Sequence, residues 1–427
     1  MMGGFWRYTM PSFKQLIGCF MAFIFSVSWC SAHENAIVDH HDPIQIDKTL
    51  TLDQVIRLTL QHYPDFLLVS ARDQEAIALQ QRGNSWLAAP PRIALRYEDD
   101  FPGDDIGSRE IEAELELPLW NWGQRSAGQH VAAQALNSAA KQAEAIRLEV
   151  AGLVRRSLWQ MAIAKLHYQQ VKDILTISTK LLGKIKRRVA LGDLSRVDLL
   201  LAQSEHLQNT AKLVQAEASM MQVRKHYTSL TQMTVTPADY HEELSVLTDI
   251  TEAHPVLLAM DAVVQRKQAE LLWTKATGSG QSSFILGGKS EKDAENGDDI
   301  ESMSVEISIP FGGSAHLQAE IATVNLALTE LLAQRAHLFR KLEKQWHEAK
   351  HALEVSRVEL AIAKELKQLA EEHLAMTQLS FSEGEIGLME LLKVQLRSND
   401  AIFYAQEQEV RMQMRIALYN QSVGVIP

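Results

Sequence analysis

The chain has 427 residues, 46% of them hydrophobic and 22% charged, with only 21 glycines and 11 prolines and a formal charge of −11. It is neither apolar nor biased enough for a collagen-like, disordered or multi-span helical membrane protein. The acidic balance argues against nucleic acid as a partner, because phosphate binding needs clustered cations. Length alone allows two or three domains.

Residues 1–32 carry the pattern of a secretory signal. Arg7 and Lys14 precede an almost wholly apolar run from Leu16 to Cys30, and Cys30-Ser31-Ala32 offers small residues for cleavage after Ala32, with Met10 an alternative start. Cys19 and Cys30 are the only cysteines, and both fall in this segment. The exported chain then has no thiol for a disulfide, a thiolate metal site or a cysteine nucleophile. Residues 33–48 read as a polar leader, in which His33, His40 and His41 could touch a metal in transit, although histidines in such leaders are more often incidental. Past the signal there is no apolar run of 18 residues, so any membrane span must use strands.

No proline occurs between Pro118 and Pro237 or between Pro310 and Pro427, and both intervals are rich in strong helix formers. Apolar positions at Leu331, Leu338, Leu342, Trp346, Ala349 and Leu353 mark one face of a helix. A helix from Trp120 to Ala190 would run on the order of 100 Å. The chain also repeats itself. His62-Tyr63-Pro64 answers Ala253-His254-Pro255, Leu117-Pro118-Leu119 answers Ile309-Pro310-Phe311, and Gly192-Asp193-Leu194 answers Gly384-Glu385-Ile386, at offsets of 191, 192 and 192. Three landmarks sharing one offset predict a tandem duplication, with units at 49–240 and 241–427.

Each unit contains one stretch of period two. Ile111, Ala113, Leu115 and Leu117 alternate with Glu110, Glu112, Glu114 and Glu116; Met303, Val305, Ile307 and Ile309 alternate with Ser304, Glu306 and Ser308. Such alternation suits a membrane barrel strand and a soluble half-buried strand equally well. Weaker partner strands, Ile93 to Tyr97 and Phe284 to Gly288, complete hairpins at about 92–119 and 282–311, with acidic tips from Asp99 to Asp105 and from Glu291 to Asp299. Geometry favours the membrane reading. Four strands cannot close a barrel, and an open sheet in lipid leaves unpaired edges, so several copies must share one barrel. Association would also cover the apolar faces of helices too long for a compact monomer.

These residues resemble the TolC-type outer-membrane efflux channels of Gram-negative bacteria, over essentially the whole chain after the signal. The markers are Leu52-Asp53-Gln54-Val55-Ile56-Arg57-Leu58-Thr59-Leu60-Gln61-His62-Tyr63-Pro64-Asp65, the hairpin ends Leu117-Pro118-Leu119 and Ile309-Pro310-Phe311-Gly312, and Gly192-Asp193-Leu194-Ser195-Arg196-Val197-Asp198-Leu199-Leu200 followed by Gln203. The resemblance implies a mainly α fold with a small β part. A homotrimer would build a shared twelve-stranded barrel in outer-membrane lipid, continued by a helical coiled-coil tunnel through the periplasm. Its partners would be a periplasmic membrane-fusion adaptor and an inner-membrane RND transporter, and its role that of a passive exit channel, neither an enzyme nor a cofactor protein.

The same resemblance places the adaptor contact at the helix reversals, about 190–196 and 383–388, at Gly192, Asp193, Leu194, Ser195 and Asp198 and at Gly384, Glu385, Ile386 and Gly387. A left-handed glycine can end each helix there, and Asp193 or Glu385 with Ser195 can cap the next. Glu390 stands where the family places an acidic gate, with Lys393 where a second acid is expected. Glu110, Glu112, Glu114, Glu116 and Glu306 would line the barrel lumen and favour cations. The short unit looks closest to the heavy-metal branch, the outer components of cobalt-zinc-cadmium or copper efflux systems, with drugs or other small molecules as the alternative cargo.

One motif points elsewhere. His347-Glu348-Ala349-Lys350-His351 matches the H-E-x-x-H pattern of zinc peptidases, but it lies deep in a predicted long helix without an identifiable third ligand. A periplasmic adaptor is the remaining alternative. Against it, the hairpin is duplicated and the short Gly-rich strands of a β-sandwich are missing.

Overall fold

The computed structural model describes residues 44–99, 108–292 and 299–427. The predicted signal, His33, His40 and His41, and the hairpin tips at 100–107 and 293–298 lie outside the described residues. In chain order the first half contains β1 (Gln45–Asp47), α1 (Leu52–His62), α2 (Phe66–Asn84), β2 (Arg92–Asp99), β3 (Arg109–Leu119), α3 (Gln124–Ala190) and α4 (Arg196–Thr231). The second half contains β4 (Val235–Pro237), α5 (Pro255–Thr277), β5 (Ser282–Lys292), β6 (Asp299–Ser308), α6 (Ser314–Ser382) and α7 (Leu388–Ser422). The succession helix, hairpin, long helix, shorter helix thus occurs twice, from α2 to α4 and from α5 to α7. The halves are interlocked, because α3 packs on both α5 and α7.

Uninterrupted helix formers give α3 67 residues and α6 69. At about 1.5 Å per residue each runs roughly 100 Å. Neither is apolar throughout, and among the described residues no helix is long and apolar enough to cross a membrane. Gln45–Asp47, read from sequence as part of a polar leader, forms β1 and pairs in parallel with Val235–Pro237. Three residues are too few to show a period, so this pairing leaves no sequence signature.

The main core forms where α1 crosses α3. Thr51 and Gln54 close a capping box, each side chain accepting the other's backbone N–H. Leu52, Val55 and Ile56 then meet Val150, Ala151, Val154 and Leu158 of α3 and Tyr227 of α4. Their spacing of three and four keeps them on one face of each helix. The Tyr227 hydroxyl donates to the Val235 carbonyl at 2.9 Å, and burial pushes its phenol up to about 12, so it stays a donor.

Next to this core lies a buried ion pair. The Arg155 side chain is fully buried and grips Glu242 with two hydrogen bonds of 2.8 and 2.6 Å, while a third, 2.6 Å long, reaches Gln421 near the end of α7. Asn420 donates to Glu242 at 3.3 Å and to the Glu243 carbonyl at 2.8 Å. One guanidinium therefore joins the first helical pair, the connection after β4 and the last helix. Truncating one member leaves a buried charge without its counterpart, at about 3–5 kcal/mol. Arg155→Met is accordingly expected to lower the thermal unfolding midpoint of the purified protein strongly, and Arg155→Met combined with Glu242→Met to recover most of the loss. Equal midpoints for the single variant and wild type would contradict the clamp.

His254 caps α5. Its ring is 2% exposed, and Nδ1 accepts the Val256 N–H at 3.3 Å, which leaves the proton on Nε2. Burial holds its pKa below the ordinary histidine value. The unfolded chain therefore binds the proton first, so this contribution is complete above the ordinary histidine range and shrinks as pH falls through it. Unfolding midpoints measured from about pH 8 to about pH 5 should drop more for wild type than for His254→Asn, whose side-chain oxygen keeps the cap. Parallel pH profiles would contradict this role.

Candidate functional site

The four longer strands form one antiparallel sheet in the order β2-β3-β5-β6, so the two hairpins join edge to edge through β3 and β5. Asn121, just after β3, pins this junction to the helices. Its Nδ2 donates to the carbonyls of Thr277 (2.7 Å) and Gly280 (2.8 Å), and its Oδ1 accepts from the Ser282 hydroxyl at 2.8 Å. The strands run further than the alternation alone suggested. Asp99 lies in β2 and Glu291 in β5, both read from sequence as tip residues, because pairing with Arg109 and with Ile300 continues the ladder past the apolar positions. Ile309 falls outside β6, which ends at Ser308 before Pro310.

Directly opposed residues of an antiparallel ladder share a face. One face reads Arg92, Glu116, Ile285, Glu306 across the four strands, then Ala94, Glu114, Gly287, Ser304, then Arg96, Glu112, Lys289, Ser302, then Glu98, Glu110, Glu291, Ile300. The other reads Ile93, Leu115, Leu286, Val305 and Leu95, Ala113, Gly288, Met303, with Tyr97, Ile111, Leu117, Phe284 and Ile307 beside them. Their exposure is inverted relative to a soluble sheet. Glu110, Glu112, Glu114 and Glu116 are half-buried, whereas Ile93, Leu95, Tyr97, Met303, Val305 and Ile307 are 62–84% exposed. In water such a face is a large uncovered apolar patch; in lipid it is the expected outer surface.

The register therefore unites Glu110, Glu112, Glu114, Glu116 and Glu306 on one face and adds three cations that sequence reasoning missed. Lys289 lies 2.9 Å from Glu110 and 3.0 Å from Glu291, Arg92 is 3.5 Å from Glu116, and Arg96 is 2.8 Å from Glu98. Arg92 and Arg96 flank Ile93 and Leu95 in period two, so the signal was present in β2. Only the pairing register shows which glutamates they oppose. Glu114 stands opposite Ala94 and Gly287, neither of which offers it a charged partner.

The far ends of the helices carry the second group of predicted residues. Gly192 (φ +84°) and Gly384 (φ +81°) take the left-handed conformation. After each, the next N–H reaches back into the helix, from Asp193 to the Arg188 carbonyl (2.9 Å) and from Glu385 to the Ser380 carbonyl (3.0 Å), the pattern that closes a helix at glycine. Ser195 caps α4 in a reciprocal box with Asp198. Neither Asp193 nor Glu385 caps the following helix: the cap position of α7 is Gly387, which has no side chain to cap with and stands where the first turn has Ser195. Leu194 joins the cluster of Leu182, Ile185, Ala202, Leu388 and Leu391 that holds the two reversals together, whereas Ile386 is half-buried outside it. Glu390 and Lys393 stand on the exposed side of α7, 4.0 Å apart.

The H-E-x-x-H segment lies on α6 with His347 and His351 exposed. Trp346 packs against the His347 ring at 4.4 Å, and Glu348 lies 3.7 Å from Lys344. No group of three potential metal ligands occurs among the described residues.

Residues 91–232 match the model of the family described as outer membrane efflux protein. The chain is 24% identical over 302 residues to the cobalt-zinc-cadmium resistance protein CzcC of Cupriavidus metallidurans, covering 67% of this chain and 71% of that protein. Its fold is similar to that of CusC, with a TM-score of 0.70 at 12% identity over 92% of this chain and 95% of the other. It is also similar to the CmeC outer membrane channel of Campylobacter jejuni, with a TM-score of 0.68 at 14% identity over 87% and 85% of the two chains.

Proposed function

We propose, on the premise that this chain is a member of the outer membrane efflux protein family, that three copies close their sheets into one twelve-stranded barrel and conduct metal cations outward. The protein is an outer-membrane efflux channel of the type that CzcC and CusC resemble. The observation that carries the trimeric reading is the inverted sheet with two open edges. β2 and β6 each have a neighbour on one side only, and the exposed face is aliphatic. Pairing β2 of one copy with β6 of the next satisfies both edges and turns the aliphatic face to lipid.

On this reading the glutamate face lines the lumen. Seven carboxylates, on Glu98, Glu110, Glu112, Glu114, Glu116, Glu291 and Glu306, outnumber Arg92, Arg96 and Lys289 in each copy. An acidic duct with low-dielectric walls concentrates cations. Metal cargo draws its support from this surplus and from the likeness to a protein named for cobalt, zinc and cadmium resistance. The helix reversals at Gly192 and Gly384 would meet a periplasmic adaptor, itself bound to an inner-membrane RND pump. Glu390 and Lys393 would sit at the tunnel's narrow end, where each lysine offsets the charge of a neighbouring glutamate. No catalytic step is assigned to His347 and His351, whose exposed rings face no third ligand among the described residues.

The test is conduction by the purified protein in a planar bilayer under a salt gradient. Wild type is expected to give a reversal potential on the cation-selective side, and Glu112→Gln with Glu114→Gln to cut the cation-to-anion permeability ratio about twofold or more. Lys289→Gln should raise that ratio. A selectivity indifferent to all three substitutions would remove the glutamate face from the pathway. Equal metal and drug sensitivity in deletion and parent strains would remove the cargo assignment.

A further inference from the structure

The two helix reversals occupy equivalent places in the duplicated chain, so each shows what the other needs in order to fold. Their charges are opposite. Between residues 180 and 200 stand Lys180, Lys184, Lys186, Arg187, Arg188 and Arg196 against Asp193 and Asp198; between 372 and 392 stand Glu372, Glu383, Glu385 and Glu390 with no lysine or arginine. Cations in the last turn of α3 complement the helix dipole, but Glu383 and Glu385 at the C-terminal end of α6 oppose it. Helix stability therefore does not account for the acidic end, and its basic counterpart exceeds what a cap requires.

The two reversals pack against each other through Leu182, Ile185, Leu388 and Leu391, and Arg188 lies 5.7 Å from the centre of the Phe381 ring. Even so, among the described residues no ion pair joins any of the six cations to the acidic turn beside them. Between α3 and the α6–α7 reversal runs a groove of about 390 Å³. Lys180, Lys184 and Arg188 line one side of it, and Leu181, Ile185 and Phe381 supply its apolar surface. The three cations recur every four residues, about 6 Å apart along the helix, which is the spacing of successive turns on a partner helix.

We propose that this groove is the docking site for an acidic amphipathic helix of a periplasmic partner, whose carboxylates meet Lys180, Lys184 and Arg188 while its aliphatic face covers Leu181 and Phe381. The inference rests on the reading that these reversals are the adaptor-facing end, and it adds the sign of the partner's surface. Recognition follows the helix-in-groove mode, with charge setting the orientation and the apolar strip excluding water. A second copy's acidic turn is the competing occupant.

The probes are two synthetic 21-residue helices with the same leucine face, one bearing glutamates and the other lysines on its polar face. Binding to the full-length channel in nanodiscs is read by fluorescence anisotropy. The glutamate helix is expected to bind about tenfold or more tightly than the lysine helix, to weaken as salt is raised, and to lose its advantage on a channel carrying Lys180→Glu, Lys184→Glu and Arg188→Glu. That variant should keep wild-type mass and conductance. No preference for the glutamate helix would overturn the proposal. A triple variant that no longer assembles would overturn it too, by assigning the rim to contacts between copies. Conductance of the wild-type particle is recorded separately. A conducting channel without peptide preference overturns only the docking, whereas a particle without conductance overturns the channel reading as well.

Discussion

Backbone edges cannot be left unpaired in hydrocarbon, and the architecture described above depends on that constraint. Each exposed N–H or C=O at membrane depth costs several kcal/mol. The four strands of one chain stop well short of a closed barrel, and their outer face is aliphatic. On the trimeric reading proposed above, closure is transferred to association, and a single chain is a sector of the larger barrel. The exposed apolar side chains along α6, among them Val358, Ile362, Leu366 and Leu369, belong to the same logic. They form a surface without a partner in the monomer, of the kind that long helices bury against each other in bundles.

A sector must also hold its own shape before it meets its neighbours. The core of α1, α3 and α4 and the Arg155–Glu242–Gln421 contacts do this near the middle of the long helices, and the Asn121 hydrogen bonds fix the hairpins to their ends. At the far ends a further apolar cluster of Leu182, Ile185, Ala202, Leu388 and Leu391 holds the two helix pairs together. The same separation applies to chemistry. The candidate functional charges lie on one sheet face and at the two reversals, whereas Arg155, Glu242 and Asn420 lock elements together.

Much of this was legible in the sequence. The length of α3 and α6 follows from helix formers without a proline, the turns at Gly192 and Gly384 from glycine after a basic or polar helix end, and the strands of the hairpins from strict alternation around Glu110–Glu116. The missing parts share one cause: they depend on which elements lie side by side. The cations opposite the glutamates emerged only from register, since Lys289 sits in a strand with two glycines and weak periodicity. β1 was too short to read. The Arg155–Glu242 pair joins residues 87 apart and has no local signature. The second reversal looked like the first, yet Gly387 replaces the capping serine and its charges are reversed. Duplication preserved the geometry there and allowed the surfaces to diverge.

The central claim is that β2 of one copy pairs with β6 of another. Within one chain these strands are separated by β3 and β5, about 14 Å at the usual strand spacing, beyond the reach of a disulfide. The most direct measurement places one cysteine at Ile93, Leu95 or Tyr97 and another at Met303, Val305 or Ile307, oxidises the protein in intact outer membranes, and resolves it without reductant. At least one pair should give a ladder of linked dimers and trimers that neither single cysteine forms at more than dimer size. Monomers throughout the scan, from protein that reaches the outer membrane, would contradict the shared barrel.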